Sequence, residues 1–154
     1  MTPEEQEYDN LLQEVSNGNG EAYAYLVTMS KVFRVWDDLW DQDAEAKKET
    51  IDEVFGALSF ELSRNSFYME NRAALESFIF LAWNAWKDSE IWKGNPDKIK
   101  GTCAWFIRDF CNEIDVLVAW LVGGKNHARK ISIKCRGYYL KRLQSRGMDG
   151  FVKE

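Results

Sequence analysis

Residues 21–41, EAYAYLVTMSKVFRVWDDLWD, decide how the chain is read. Leu26, Met29, Phe33, Trp36 and Trp40 recur at alternating steps of three and four, the spacing that stacks side chains on one face of a helix and that no strand produces. The stretch predicts a long, heavily aromatic helix from about Glu21 to Asp41. On its N-terminal side, residues 16–20, Ser-Asn-Gly-Asn-Gly, form a turn. Before that, Thr2-Pro3-Glu4-Glu5 joins a hydroxyl N-cap to a first-position proline and first-turn acids, and Tyr8, Leu11, Leu12 and Val15 follow as a first helix.

On the C-terminal side, Asp43 to Lys48 reads as a polar connection. Ile51, Val54, Phe55, Leu58 and Leu62 mark a third helix, broken at Arg64-Asn65-Ser66. From Tyr68 to Trp92 the helical period returns, and at residues 78–86, FIFLAWNAW, the segment is apolar nearly all round. That pattern predicts a helix buried on most of its faces. Gly94-Asn95-Pro96 stops it. A further helix is expected from about Asp97 to Val122, closed by a left-handed cap at Gly123-Gly124, before a basic last helix that frays near Gly147. No segment alternates with a period of two, so the chain reads as all-α: one domain over residues 1–154, a bundle of five or six helices without repeat or linker.

Composition narrows the function classes. The 154 residues are 45% hydrophobic and 29% charged, as in a globular domain and unlike a disordered tail. No run approaches the roughly 20 apolar residues of a membrane span, and the first residues lack the charged and apolar regions of a signal peptide. A location inside a cell, away from membranes, is expected. Cys103, Cys111 and Cys135 form no C-x-x-C pair, which points to buried free thiols. The single histidine, His127, excludes a histidine pair, so carboxylates would carry any chemistry. No glycine-rich nucleotide loop is present.

Charge is unevenly spread. Residues 1–62 carry a net −11, residues 63–124 a net −1 and residues 125–154 a net +7. Two readings follow: the basic C-terminal helix neutralises the acidic N-terminal half by packing near it, or Arg129, Lys130, Lys134, Arg136, Lys141 and Arg142 form a nucleic-acid surface. No nucleic-acid motif accompanies these bases and the pI is about 5.1, so nucleic acid is not the expected partner.

Several polar groups fall where core is expected. Asp37, Asp38 and Asp41 can share one side of a helix C-terminus, where negative charge opposes the helix dipole. Arg34 or the basic last helix could compensate them, or a divalent cation such as Mg²⁺ or Mn²⁺. The D-D-x-x-D spacing also occurs in prenyl-chain synthases, but only this pentapeptide is shared and no second aspartate-rich motif follows. Asp115 sits amid Ile114, Val116, Leu117 and Val118, where an unpaired carboxylate is costly. Asn112 precedes it by one turn, and Asn84 is isolated in the most apolar helix. A hydrogen-bond network, a cation or small-ligand site and a solvated face all remain open for these groups. His127, at the start of the last helix, reads as a cap or surface residue or as part of an anion site.

The ordered set Trp36-Asp37-Asp38-Leu39 with Asp41 and Asp43, Leu62-Ser63-Arg64-Asn65-Ser66-Phe67-Tyr68, Asp115, and Leu121-Val122-Gly123-Gly124 with His127-Ala128-Arg129 resembles a group of short helical proteins encoded in tailed phages and prophages. The likeness covers about residues 33–130. The group's middle motif reads L-P-R-N-P-F-Y, and Ser63 and Ser66 here replace its prolines. The resemblance implies a phage origin, hence host cytoplasm or virion, and gathers Asp37, Asp38, Asp41, Asn65, Tyr68, Asp115 and His127 into one constellation. It implies no activity.

Three functions follow as expectations. The first is an interaction or assembly protein that binds a phage protein, a host factor or itself, with Trp92 and Trp105 as exposed anchors. The second is a metal-dependent hydrolase or lyase on a phosphorylated small molecule, with Asp37, Asp38, Asp41 and Asp115 around the metal and His127 and Arg129 on the phosphate. The third is an acidic mimic of nucleic acid that occupies a host protein.

Overall fold

The computed structural model describes residues 2–41 and 48–146, with side chains to Lys141. The expected connection at Asp43 to Lys48 and the fraying near Gly147 lie almost wholly outside these residues. Among the described residues the protein is all-α, with no strand and no helix long and apolar enough to cross a membrane.

Local signals place most boundaries. Helix α1 (Pro3–Ser16) begins with a reciprocal cap: Thr2 Oγ1 accepts from the Glu5 N–H at 3.2 Å, and Glu5 Oε2 accepts from the Thr2 N–H at 2.6 Å. It ends at Asn17, in the left-handed region with φ 49°. Asn19 then caps α2 (Gly20–Trp40) by accepting from the Ala22 N–H at 3.0 Å. Helix α3 (Lys48–Gly56) does not run regularly to Leu62; it widens into a π turn at Ala57–Glu61 and tightens into a 3-10 turn at Leu62–Arg64. Asn65 caps α4 (Ser66–Trp92), and Asp97 caps α5 (Lys98–Arg108).

The expected single helix from Asp97 to Val122 is interrupted. A 3-10 turn at Asp109–Glu113 separates α5 from α6 (Ile114–Arg146). Within it the Asn112 amide donates to Asp109 Oδ1, a local side-chain bond of the kind that competes with regular helix, and Phe110 stacks on Phe78 at 5.4 Å.

The core joins Leu11, Leu12 and Val15 of α1 to Tyr25, Leu26 and Met29 of α2, Phe67 and Leu75 of α4, and Val118, Ile131 and Cys135 of α6. Helix α6 lies along α1, with Tyr8 stacked on Tyr138 at 5.5 Å. Lys134 pairs with Glu14, and Lys141 with Glu7 at 2.6 Å. The basic end of the chain therefore neutralises acids of its beginning.

Helix α4 corrects one expectation. Its all-round apolar stretch is not buried on most faces: Phe80 is 62% exposed, Leu81 55% and Trp83 46%. Within residues 78–86 only Ala82 and Trp86 turn fully inward; α4 packs against α2, α5, α6 and the turns at 62–64 and 109–113, and these leave Phe80, Leu81 and Trp83 uncovered among the described residues.

Gly124 breaks α6, and Gly123 is required beside it for a separate reason. Gly124 has φ 71° and ψ −171°, a backbone state essentially restricted to glycine. Gly123 leaves room for His127: a Cβ there would lie 2.6 Å from the His127 side chain. Gly124→Ala is expected to cost about 1–3 kcal/mol in urea unfolding. Gly123→Ala should displace His127, so that adding His127→Gln to it costs nothing further; full additivity of the two changes would refute this coupling.

Candidate functional site

The structure divides the expected constellation into separate groups. Asp37 lies against α5, where the Arg108 guanidinium donates to Asp37 Oδ1 and to Glu90 Oε1. The Trp86 indole N–H also donates to Asp37 Oδ1 at 3.3 Å. Asp41 lies 3.8 Å from the Arg108 guanidinium and 3.8 Å from Lys93 Nζ. The guanidinium sits over the Trp86 ring, 4.9 Å from its centroid; Trp36 and Trp40 each meet Trp86 edge to face and lie tilted against one another. The compensating cation is thus protein, though neither Arg34 nor the last helix supplies it. Asp38 stands half-buried on the same helix end, with no ion pair among the described residues.

Asp115 is 1% exposed. Its Oδ2 accepts from the Tyr139 hydroxyl at 2.9 Å, with Cys135 Sγ at 3.9 Å. Burial pushes the Asp115 carboxyl up to about 7, and the Tyr139 and Cys135 bonds offset only part of that. Burial likewise pushes the Cys111 and Cys135 thiols up to about 12, so neither supplies a thiolate nucleophile at neutral pH. Asn112 is engaged with Asp109, and Asn84 donates to the Phe80 carbonyl of its own helix at 2.9 Å.

His127 and Asn65 hold helix ends. His127 Nε2 lies 3.0 Å from the Val15 carbonyl oxygen. A carbonyl can only accept, so this nitrogen carries the proton and satisfies one of the open carbonyls at the end of α1. Asn65 Oδ1 accepts from the Tyr68 N–H at 2.7 Å, while its Nδ2 donates to the Glu21 carbonyl at 2.8 Å, tying α4 to α2. Of the readings the sequence leaves open for His127, its contact fits the capping one.

Among the described residues, no three His, Cys, Asp or Glu side chains are grouped so as to hold a metal ion. The four expected ligands separate: Asp37 and Asp41 face Arg108, Asp38 stands on the same helix end without an ion pair among the described residues, and Asp115 faces Tyr139.

A cavity lies between α2, the 57–64 turns and α4. It measures about 440 Å³ and is walled by Tyr25, Met29, Val32, Leu58, Leu62, Tyr68, Glu76, Ile79, Phe80 and Trp83. Tyr68 is the only expected site residue in it. At its rim Glu76 accepts from the Tyr68 hydroxyl at 2.7 Å and from Arg72 Nε at 2.6 Å, bonds that lower the Glu76 carboxyl below the usual range. In its wall Phe80 lies beside Trp83, and outside it Phe55 meets Phe60 edge to face at 6.4 Å. Of the expected anchors, Trp92 is 37% exposed, whereas Trp105 is half-buried against Phe106, itself 63% exposed.

The basic residues are partly used. Lys134 and Lys141 meet α1, and Arg136 pairs with Glu113 at 2.8 Å. Arg129 and Lys130 are exposed; the Arg142 side chain lies outside the described residues. No family model, curated protein or solved structure matches the chain.

Reasoning from sequence missed Arg108, Glu90 and the cavity. Arg108 carried a signal, a lone cation within Trp-Phe-Ile-Arg-Asp-Phe at 105–110. Tyr25 carried none, because a tyrosine at helical spacing looks the same over a core as over a cavity.

Proposed function

We propose that the protein is an assembly component whose copies bind one another through two unlike exposed faces. The observation that carries this is the exposed apolar surface of α3, the 57–64 turns and α4, where Phe55, Leu58, Phe60 and Phe80 are each 45–64% exposed. Large contiguous apolar patches on a protein surface mark interaction sites. Glu49, Asp52 and Glu61 are exposed beside this face and form no ion pair among the described residues, so it suits an apolar partner bordered by bases.

The chain itself carries such a partner surface. On the outer side of α6, Arg129, Ile133, Arg136 and Leu140 follow at steps of four, three and four, and all are exposed, Ile133 at 72%. A contact between unlike faces continues from copy to copy and builds rings or filaments. The resemblance to helical phage proteins suggests the virion or its assembly as the setting.

Light scattering on the purified protein tests this reading. A mass above the 18.0 kDa of one chain is expected, falling towards one chain as salt is raised. Phe60→Asp and Ile133→Asp should each yield monomers, and mixing the two should restore a 1:1 dimer through the one intact pair of faces. An 18.0 kDa species at every concentration overturns the proposal.

A further inference from the structure

The cavity beside α2 contains a group that self-association does not use. Tyr25 is 1% exposed and lines the cavity, yet its hydroxyl has no hydrogen-bond partner among the described residues. Buried polar atoms are paired in the large majority of cases, and one left unpaired costs about 1–3 kcal/mol. Tyr25 stacks on Tyr68, with ring centroids 6.0 Å apart, and the charges that act on its hydroxyl come from Tyr68 and Glu76 in the same wall. Neither of those accepts from Tyr25: the Tyr68 hydroxyl donates to Glu76, and Glu76 Oε1 accepts from Tyr68 and Arg72. Tyr25 therefore brings an unpaired donor to the wall of a space that Met29, Val32, Ile79 and Trp83 make largely apolar. Its volume of about 440 Å³ falls in the range of small-molecule sites, roughly 300–1,000 Å³.

We propose that this cavity binds a small, neutral, largely apolar molecule through one hydrogen-bond acceptor that takes the Tyr25 hydroxyl proton. Neutrality follows from the wall: its one ionised group is Glu76, which repels anions and already has Arg72 as its cation. The proposal does not rest on self-association.

A matched pair of probes tests it on the full chain by calorimetric or NMR titration. Acetophenone and ethylbenzene have nearly the same shape and differ by a carbonyl oxygen. Acetophenone is expected to bind saturably and about fivefold more tightly than ethylbenzene, the ratio that one net hydrogen bond of about 1 kcal/mol gives. Tyr25→Phe should erase the difference by weakening acetophenone alone, with an unfolding temperature at or above that of the parent because no protein partner is lost. Val32→Trp, which fills the cavity, should abolish binding of both probes. Absence of saturable binding overturns the proposal, as does a preference that survives Tyr25→Phe or a fall in the unfolding temperature on that change. If neither probe binds while Val32→Trp abolishes self-association, the cavity is a socket for a partner's side chain and the small-molecule assignment fails.

Discussion

Replacing Arg108 by alanine is expected to destabilise the fold by about 3 kcal/mol, lowering the unfolding temperature by roughly 10 °C at this size. The Arg108 side chain is 15% exposed and Glu90 17%, so removing the guanidinium leaves Glu90 nearly buried with Lys93, at 3.8 Å, in place of the closer cation. Asp37 is 44% exposed and keeps part of its hydration, which places the loss at the low end of the range for breaking a buried pair. The arginine also covers the Trp86 ring, so the loss has a charge part and a packing part. A double-mutant cycle separates them. Asp37→Asn keeps an oxygen for the Trp86 indole while removing one charge, and in that background Arg108→Ala should cost about 1–2 kcal/mol less. An equal cost in both backgrounds would assign the effect to packing. The same preparation bears on metal binding: Mg²⁺ or Mn²⁺ at about 100 times a dissociation constant would add about 2.7 kcal/mol. No such rise is expected, since Asp37 and Asp41 already face Arg108; one that vanished in Asp37→Asn would reassign them as ligands.

Asp115→Asn is expected to stabilise the protein above pH 7 and to change little at pH 4. Burial raises the native Asp115 carboxyl to about 7, above the ordinary value of 3.8 that the unfolded chain keeps. Between those values the native state holds a proton that the unfolded state has released. The stability this group contributes is therefore fully present below about pH 4 and is lost as pH rises through 7. At about 1.4 kcal/mol per unit, the fall is on the order of 4 kcal/mol. Asparagine cannot ionise, and its amide oxygen can accept the Tyr139 hydroxyl as Asp115 does. Urea midpoints from pH 4 to 8 should thus show a declining parent and a flatter variant, the difference isolating this residue from every other carboxyl. A variant less stable than the parent at pH 8 would mean that the folded protein favours the Asp115 charge, as a bound cation would make it do.

The helix ends were legible because their causes are local. Thr2 with Glu5, Asn19, Asn65 and Asp97 cap the helices that follow them, and Gly124 takes up a backbone state that other residues avoid. The neutralisation of α1 by α6 was legible as well, as opposite charge blocks at the two ends of the chain. The site was less so. Asp37, Asp115 and His127 looked alike as polar residues out of place, but their partners stand 71, 24 and 112 positions away. Nothing in the spacing of a residue names a partner at that distance.

What the sequence by itself determined is the all-α class, most of the helix limits and the sign of the charge at each end, since propensity, capping and periodicity act within a few residues. The tertiary structure alone decided which apolar residues form core and which form surface. Phe80 and Leu75 are both apolar and lie on one helix, yet one is 62% exposed and the other 0%. The difference lies in what packs over each, because the hydrophobic effect rewards apolar burial without specifying the neighbour that provides it. The tertiary structure likewise brought Arg108 to Asp37 and set Tyr25 in the wall of a cavity with no hydrogen-bond partner among the described residues.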